Sequence, residues 1–175
     1  MHRLAPLLPL LLALAACGGS DPAPAHESRA ALGSEHADAL EGLSAEARQT
    51  VLGSSVRPLL LPRELAAASQ ITAGPRWVAI SARADGITLS LHATDHHHAV
   101  VGDEELSQVP PPSATVRGEA ARVTSNEGIR SVAWMEEGVA YALEVECERP
   151  FEDVRCTEDT FLLELADRLV ALEGR

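Results

Sequence analysis

The stretch "HATDHHHAV" holds the side chains best able to bind a metal: His92, Asp95, His96, His97 and His98. Imidazole nitrogens and a carboxylate suit Zn²⁺, Ni²⁺ or Cu²⁺. On a strand, neighbouring histidines point to opposite faces, so three in a row share an ion only where a loop gathers them. A solvated polar loop after a hairpin accounts for the same residues, and metal binding is the alternative. The acidic run Asp103-Glu104-Glu105 reads as a solvated loop, because it lacks the spaced oxygens and glycine of an EF-hand. Glu144, Glu146 and Glu148 alternate along one strand and share a face, as a solvated carboxylate edge does. No serine sits in a Gly-x-Ser-x-Gly turn and no phosphate loop occurs. The expectation is a non-enzyme with no catalytic residues and no cofactor.

The other reactive residues are three cysteines. Cys17 ends the apolar run Leu4–Ala16, which follows a basic Met1-His2-Arg3 and is shorter than the roughly 20 residues that span a bilayer. Leu14-Ala15-Ala16-Cys17 resembles the lipobox of bacterial lipoproteins. The resemblance implies cleavage of residues 1–16 as a signal peptide, a thioether-linked lipid on Cys17 and an acylated (palmitate-type) new amine. Glycine at position 18 resembles the outer-membrane sorting class, which implies a periplasm-facing anchor in the cell envelope. One acyl chain binds a membrane reversibly and two or three hold it firmly, so no polybasic patch is required. With Cys17 lipidated, Cys147 and Cys156 remain as an even pair, and an oxidising envelope favours their disulfide.

Composition narrows the partners. The 175-residue chain has 14 basic residues, all arginine, and 26 acidic ones; without residues 1–16 it keeps 13 and 26, a formal charge of −13. Such a charge opposes nucleic acid and anionic lipid headgroups. The aromatics are Trp77, Trp134, Tyr141, Phe151 and Phe161.

These groups need elements to hold them. Gly18–Gly33 is rich in Gly, Pro, Ala and charge, so residues 17–43 read as a flexible tether and 44–175 as one domain. Ser44 is placed to cap a helix over "AEARQTVL" ending at Gly53. "VRPLLLP" is at best an edge strand. "RWVAISA" and "ITLSLHA" flank Asp85-Gly86, a hairpin with Ile87, Leu89 and Leu91 on one face and Thr88, Ser90 and His92 on the other. "TVRGEAARVTS" reads as one strand bulged at Gly118, and "NEG" turns into "IRSVAWM". "EEG" reads as a three-residue loop that sets Met135 opposite Val139 and Arg130 opposite Glu144, with Ile129, Ala133 and Met135 facing the core. A two-residue loop would pair Trp134 with Tyr141 instead. The C-terminal helix is predicted from a Thr157 cap to Gly174, with Leu162, Leu165, Leu169 and Leu172 as its stripe and Glu164–Arg168 as an i,i+4 pair.

The pattern Trp-x-x-x-Gly-x-x-Tyr in a hairpin, followed by a leucine-rich helix, spans about Pro110 to Leu172. It is similar to an uncharacterised family of envelope lipoproteins and faintly resembles a sheet domain outside the membrane in some anti-sigma regulators. The expected architecture is α+β: an antiparallel sheet of about five or six strands against a C-terminal helix. The expected function is non-catalytic binding of a protein partner or small ligand at the membrane surface. The alternative is a metal-binding or metal-responsive lipoprotein that uses the His92–His98 loop.

Overall fold

The computed structural model describes residues 37–96 and 111–172. The segment read as a signal peptide, Cys17, most of the segment read as a tether, His97, His98, the acidic run at 103–105 and Gly174 lie outside them. Among the described residues, no helix is long and apolar enough to cross a membrane.

Mostly antiparallel sheet with a few helices, the chain runs α1 (Ala45–Gly53), β1 (Leu59–Leu60), α2 (Arg63–Ala66), β2 (Ser69–Gly74), β3 (Trp77–Ala84), β4 (Ile87–Thr94), β5 (Ala114–Val116), β6 (Glu119–Asn126), β7 (Ile129–Glu136), β8 (Val139–Cys147), α3 (Val154–Thr157), α4 (Thr160–Asp167) and β9 (Val170–Ala171). Seven strands form one sheet in the order β2-β3-β4-β8-β7-β6-β5, and β1 pairs with β9. Two meanders, β2–β4 and β5–β8, thus meet where β4 pairs with β8. The sheet exceeds the five or six strands expected because Arg117-Gly118 is a turn rather than a bulge, and because "SQITAG" pairs along β3.

Four of the five two-residue hairpin turns have two left-handed residues, Asp85-Gly86, Arg117-Gly118, Glu127-Gly128 and Glu137-Gly138, whereas Pro75-Arg76 between β2 and β3 has none. This is the type I′ pattern, whose twist matches that of the flanking strands. At the last turn it corrects the three-residue loop. Glu137 itself adopts φ 50 and Gly138 φ 80, so Glu136 pairs with Val139, Trp134 with Tyr141, and Arg130 with Val145 rather than Glu144. The slip of one residue turns Val132 and Trp134 inward and leaves Ala133 and Met135 on the outer face. The Trp134 and Tyr141 rings stack with centroids 5.3 Å apart.

One face of the sheet is buried. Ile80, Leu89, Leu91, Leu143 and Val132 lie beneath α1, Leu59–Leu61 and α4. Ser44 caps α1 as expected, its Oγ accepting from the Ala47 N–H at 3.1 Å. Packing starts earlier than Ser44: residues 37–41 are helical, and Ala39 and Leu43, which the sequence reading gave to the tether, are buried in the core.

The C-terminal helix is shorter than expected. Thr157 ends α3, whose cap is Asp153; Asp159 sits at the α4 N-cap without a side-chain cap bond, and α4 stops at Asp167. Leu162 and Leu165 are buried from the helix, whereas Leu169 is buried from the chain beyond it. Val170–Ala171 then pairs with Leu59–Leu60, so a distant segment ends the helix before Gly174. Arg168 pairs with Glu64 in place of Glu164.

Candidate functional site

The residues predicted to be reactive fall at different ends of the sheet. His92 is exposed on the outer face of β4, between Ala79 and Ala142. Asp95 and His96 follow the strand and are both held by Arg76. Its Nε donates to Asp95 Oδ1 at 2.7 Å, one terminal nitrogen donates to the Asp95 carbonyl at 3.0 Å, and the other lies 3.1 Å from His96 Nδ1. A guanidinium only donates, so Nδ1 is the acceptor in this contact. Thr94 completes the clamp, its hydroxyl donating to the Arg76 carbonyl at 2.9 Å and accepting from the His96 N–H at 3.0 Å. Arg76 thus puts a fixed positive charge where a metal ion would need Asp95 and His96. Among the described residues, no group of three or more His, Cys, Asp or Glu is placed to hold a metal.

The outer face of the sheet carries short side chains: Ala79 and Ser81 on β3, Ser90 on β4, Ala142 on β8, Ser131 and Ala133 on β7. Trp77, 44% exposed, and Met135, 42% exposed, flank the register row through Thr94 and Ala140. Glu144 and Glu146 share this face; Ser131 Oγ donates to Glu144 at 3.4 Å.

The opposite end holds the disulfide. Cys147 and Cys156 are bonded and buried, which ties the end of β8 to α3. Arg130 Nε donates to the Cys156 carbonyl at 3.0 Å and a terminal nitrogen donates to that of Thr157 at 2.9 Å, while Asp159 pairs with the same guanidinium. Asp153 caps α3 by accepting from the Arg155 N–H at 3.0 Å. The Arg155 side chain, with that backbone bond, holds the Asp153 carboxyl at about 2. Paired Cys147→Ser and Cys156→Ser substitution is expected to lower unfolding free energy by about 2.5–3 kcal/mol, the loop-closure value for a ring of about ten residues. Urea unfolding with and without reductant measures it; equal midpoints for oxidised wild type and variant would refute it.

A polar network that the sequence reading missed lies at the β7–β8 turn. Arg117 meets Glu136 in two bonds, 2.8 Å from Nε and 3.2 Å from a terminal nitrogen, and donates to the Leu169 carbonyl at 2.7 Å. The Trp134 indole N–H donates to Glu136 at 3.4 Å, and the Tyr141 hydroxyl donates to the Arg57 carbonyl at 2.8 Å. Burial, with the charge of Glu136, pushes the Tyr141 hydroxyl to about 12. The network fastens the turn, β9 and the segment before β1 together; apart from Trp134 and Glu136, its partners are 19 to 84 residues apart in sequence, so no local motif announces it.

Two clefts on the surface are open to solvent. One of about 400 Å³ lies over Arg83, Asp85, Thr88, Glu146 and Glu148, and another of about 600 Å³ lies between the end of α1 and the β2–β3 turn. In contrast, Phe151, Val154, Trp77 and Met135 project their apolar surface outward. No family model, no curated protein and no solved structure matches this chain.

Proposed function

We propose that this chain is a lipid-anchored protein of the bacterial envelope, held on the outer membrane and facing the periplasm, whose α+β domain binds a protein partner without catalysing a reaction. Cys17, at the end of Leu14-Ala15-Ala16, is the lipidated residue, and residues 1–16 are the signal. Two or three acyl chains, at about 0.8 kcal/mol per buried methylene, hold such a body on the membrane. The observation that supports protein binding is the form of the apolar surface. Trp77, Met135, Phe151 and Val154 stand out as projections on strands, a turn and α3, as side chains that enter a partner do, while the clefts between elements are wide open to solvent.

Growth of producing cells on a radiolabelled fatty acid tests the anchor. The full chain is expected to carry label and to sediment with membranes, and Cys17→Ser is expected to lose both. An unlabelled wild-type chain would overturn the anchor.

A further inference from the structure

Phe151 is the outlier of the structure. It is one of five aromatics in the chain, yet it is 80% exposed, and Val154, three residues on, is 59% exposed. Large apolar side chains left in water by a domain that buries so many others mark a contact surface.

The loop that carries them is fixed. The Cys147–Cys156 bond closes it, and Arg149 accepts at its carbonyl from the N–H groups of Glu152 and Asp153 at 3.1 and 3.0 Å. Arg155 donates to the Asp85 carbonyl at 2.9 Å, and Pro150 and Phe151 lie over Gly128, where φ +84 and the approach of Pro150 leave no room for a side chain. A tip ordered before contact loses little conformational entropy on binding.

Its surroundings are acidic. Arg149, Arg155 and Arg130 are engaged by Glu152, Asp153 and Asp159. Glu127 stands beside the glycine under Phe151, Glu148 lies against Gly86, and Glu158 follows α3. None of these three forms an ion pair among the described residues. The charge disfavours an anionic lipid surface and a second copy of this chain, both of which would bring like charge to the tip.

We infer that Phe151 and Val154 form an apolar knob that inserts into an apolar socket rimmed by arginine or lysine on a protein partner. The inference rests on the reading that the domain binds a protein, and it names the surface and the chemistry of the partner. Apolar contact at the centre supplies adhesion, and the carboxylate ring supplies orientation and the salt dependence of encounter.

The test is photo-crosslinking of the full chain in the membranes of the cells that make it. A benzophenone-bearing phenylalanine replaces Phe151 in one chain and Ala133, on the outer sheet face, in another. The expected result is one discrete protein adduct at 151 and none at 133, with an adduct yield that falls at least tenfold in Glu127→Arg/Glu158→Arg and falls as salt is added. Arginine already occupies the matching left-handed position at residue 117, so Glu127→Arg keeps the turn. Intact disulfide and an unchanged unfolding midpoint show that the variant is folded. An adduct with lipid alone, with a second copy of the chain, or with a protein whose capture ignores the charge reversal overturns the knob. An adduct at 133 and not at 151 overturns the knob and leaves protein binding standing; no protein adduct at either position overturns both.

Discussion

Leu143→Ala is expected to lower unfolding free energy by about 3–5 kcal/mol, whereas Met135→Ala should cost less than about 1 kcal/mol. Leu143 is fully buried on the central strand β8, with Leu91 opposite on β4 and Val132 opposite on β7. Truncation removes three methylene-sized groups and leaves a cavity that two ladders hold open. A domain of this size has about 5–15 kcal/mol to lose, so the variant approaches unfolding. Met135 sits on the outer face at 42% exposure and keeps much of its water contact. The pair of variants also tests the β7–β8 register. A three-residue turn would bury Met135 and expose the Trp134 face, and the two costs would then be alike. Urea midpoints at constant slope measure both; equal costs would refute the two-residue turn.

The second large effect is at Arg117→Ala, with an expected loss of about 3 kcal/mol. The Arg117 and Glu136 side chains are only 18% and 16% exposed, so solvent screens their pairing little. Removal of the guanidinium leaves a half-buried carboxylate, takes a donor from the Leu169 carbonyl and loosens the approach of β9 to the sheet. In the wild type, burial works to raise the Glu136 pKa, but the Arg117 hydrogen bond and charge, with Trp134 and Arg57, bring it below its ordinary 4.5. A carboxylate depressed in the folded state adds stability above its unfolded pKa and loses it as pH falls through the folded one. In the variant, burial acts without the Arg117 cation, so the Glu136 pKa rises towards or past its unfolded value, and the stability this group loses on acidification shrinks or turns into a gain. Urea midpoints from pH 3 to 7 check this; parallel profiles for the two chains would show that Arg117 does not hold the Glu136 charge.

Sequence patterning located most elements because their cues are local. Ser44 capped its helix, Asp85-Gly86 turned its hairpin, and the alternation from Ile87 to His92 divided core from water. The register after Trp134 was less legible. Glutamate rarely takes the left-handed conformation, so "EEG" favours a glycine that bears the only positive φ; strand twist selected a turn in which Glu137 bears one too. The surroundings of the histidine stretch were no more legible: Asp95 and His96 are neighbours in sequence, but the cation paired with them, Arg76, comes from the β2–β3 turn.

By itself the sequence determined the acidic balance, the cysteine pair at 147 and 156, and the β3–β4 hairpin with its inward face. These follow from residue type and short-range periodicity, which act within a few positions. The tertiary structure alone decided that β9 would end the C-terminal helix by pairing with β1, that Arg117 would clamp Glu136, and that Phe151 would stay in water at the tip of a closed loop. Each depends on which distant segments compete for the same buried face or the same unpaired backbone, and that competition is settled only when the whole chain packs.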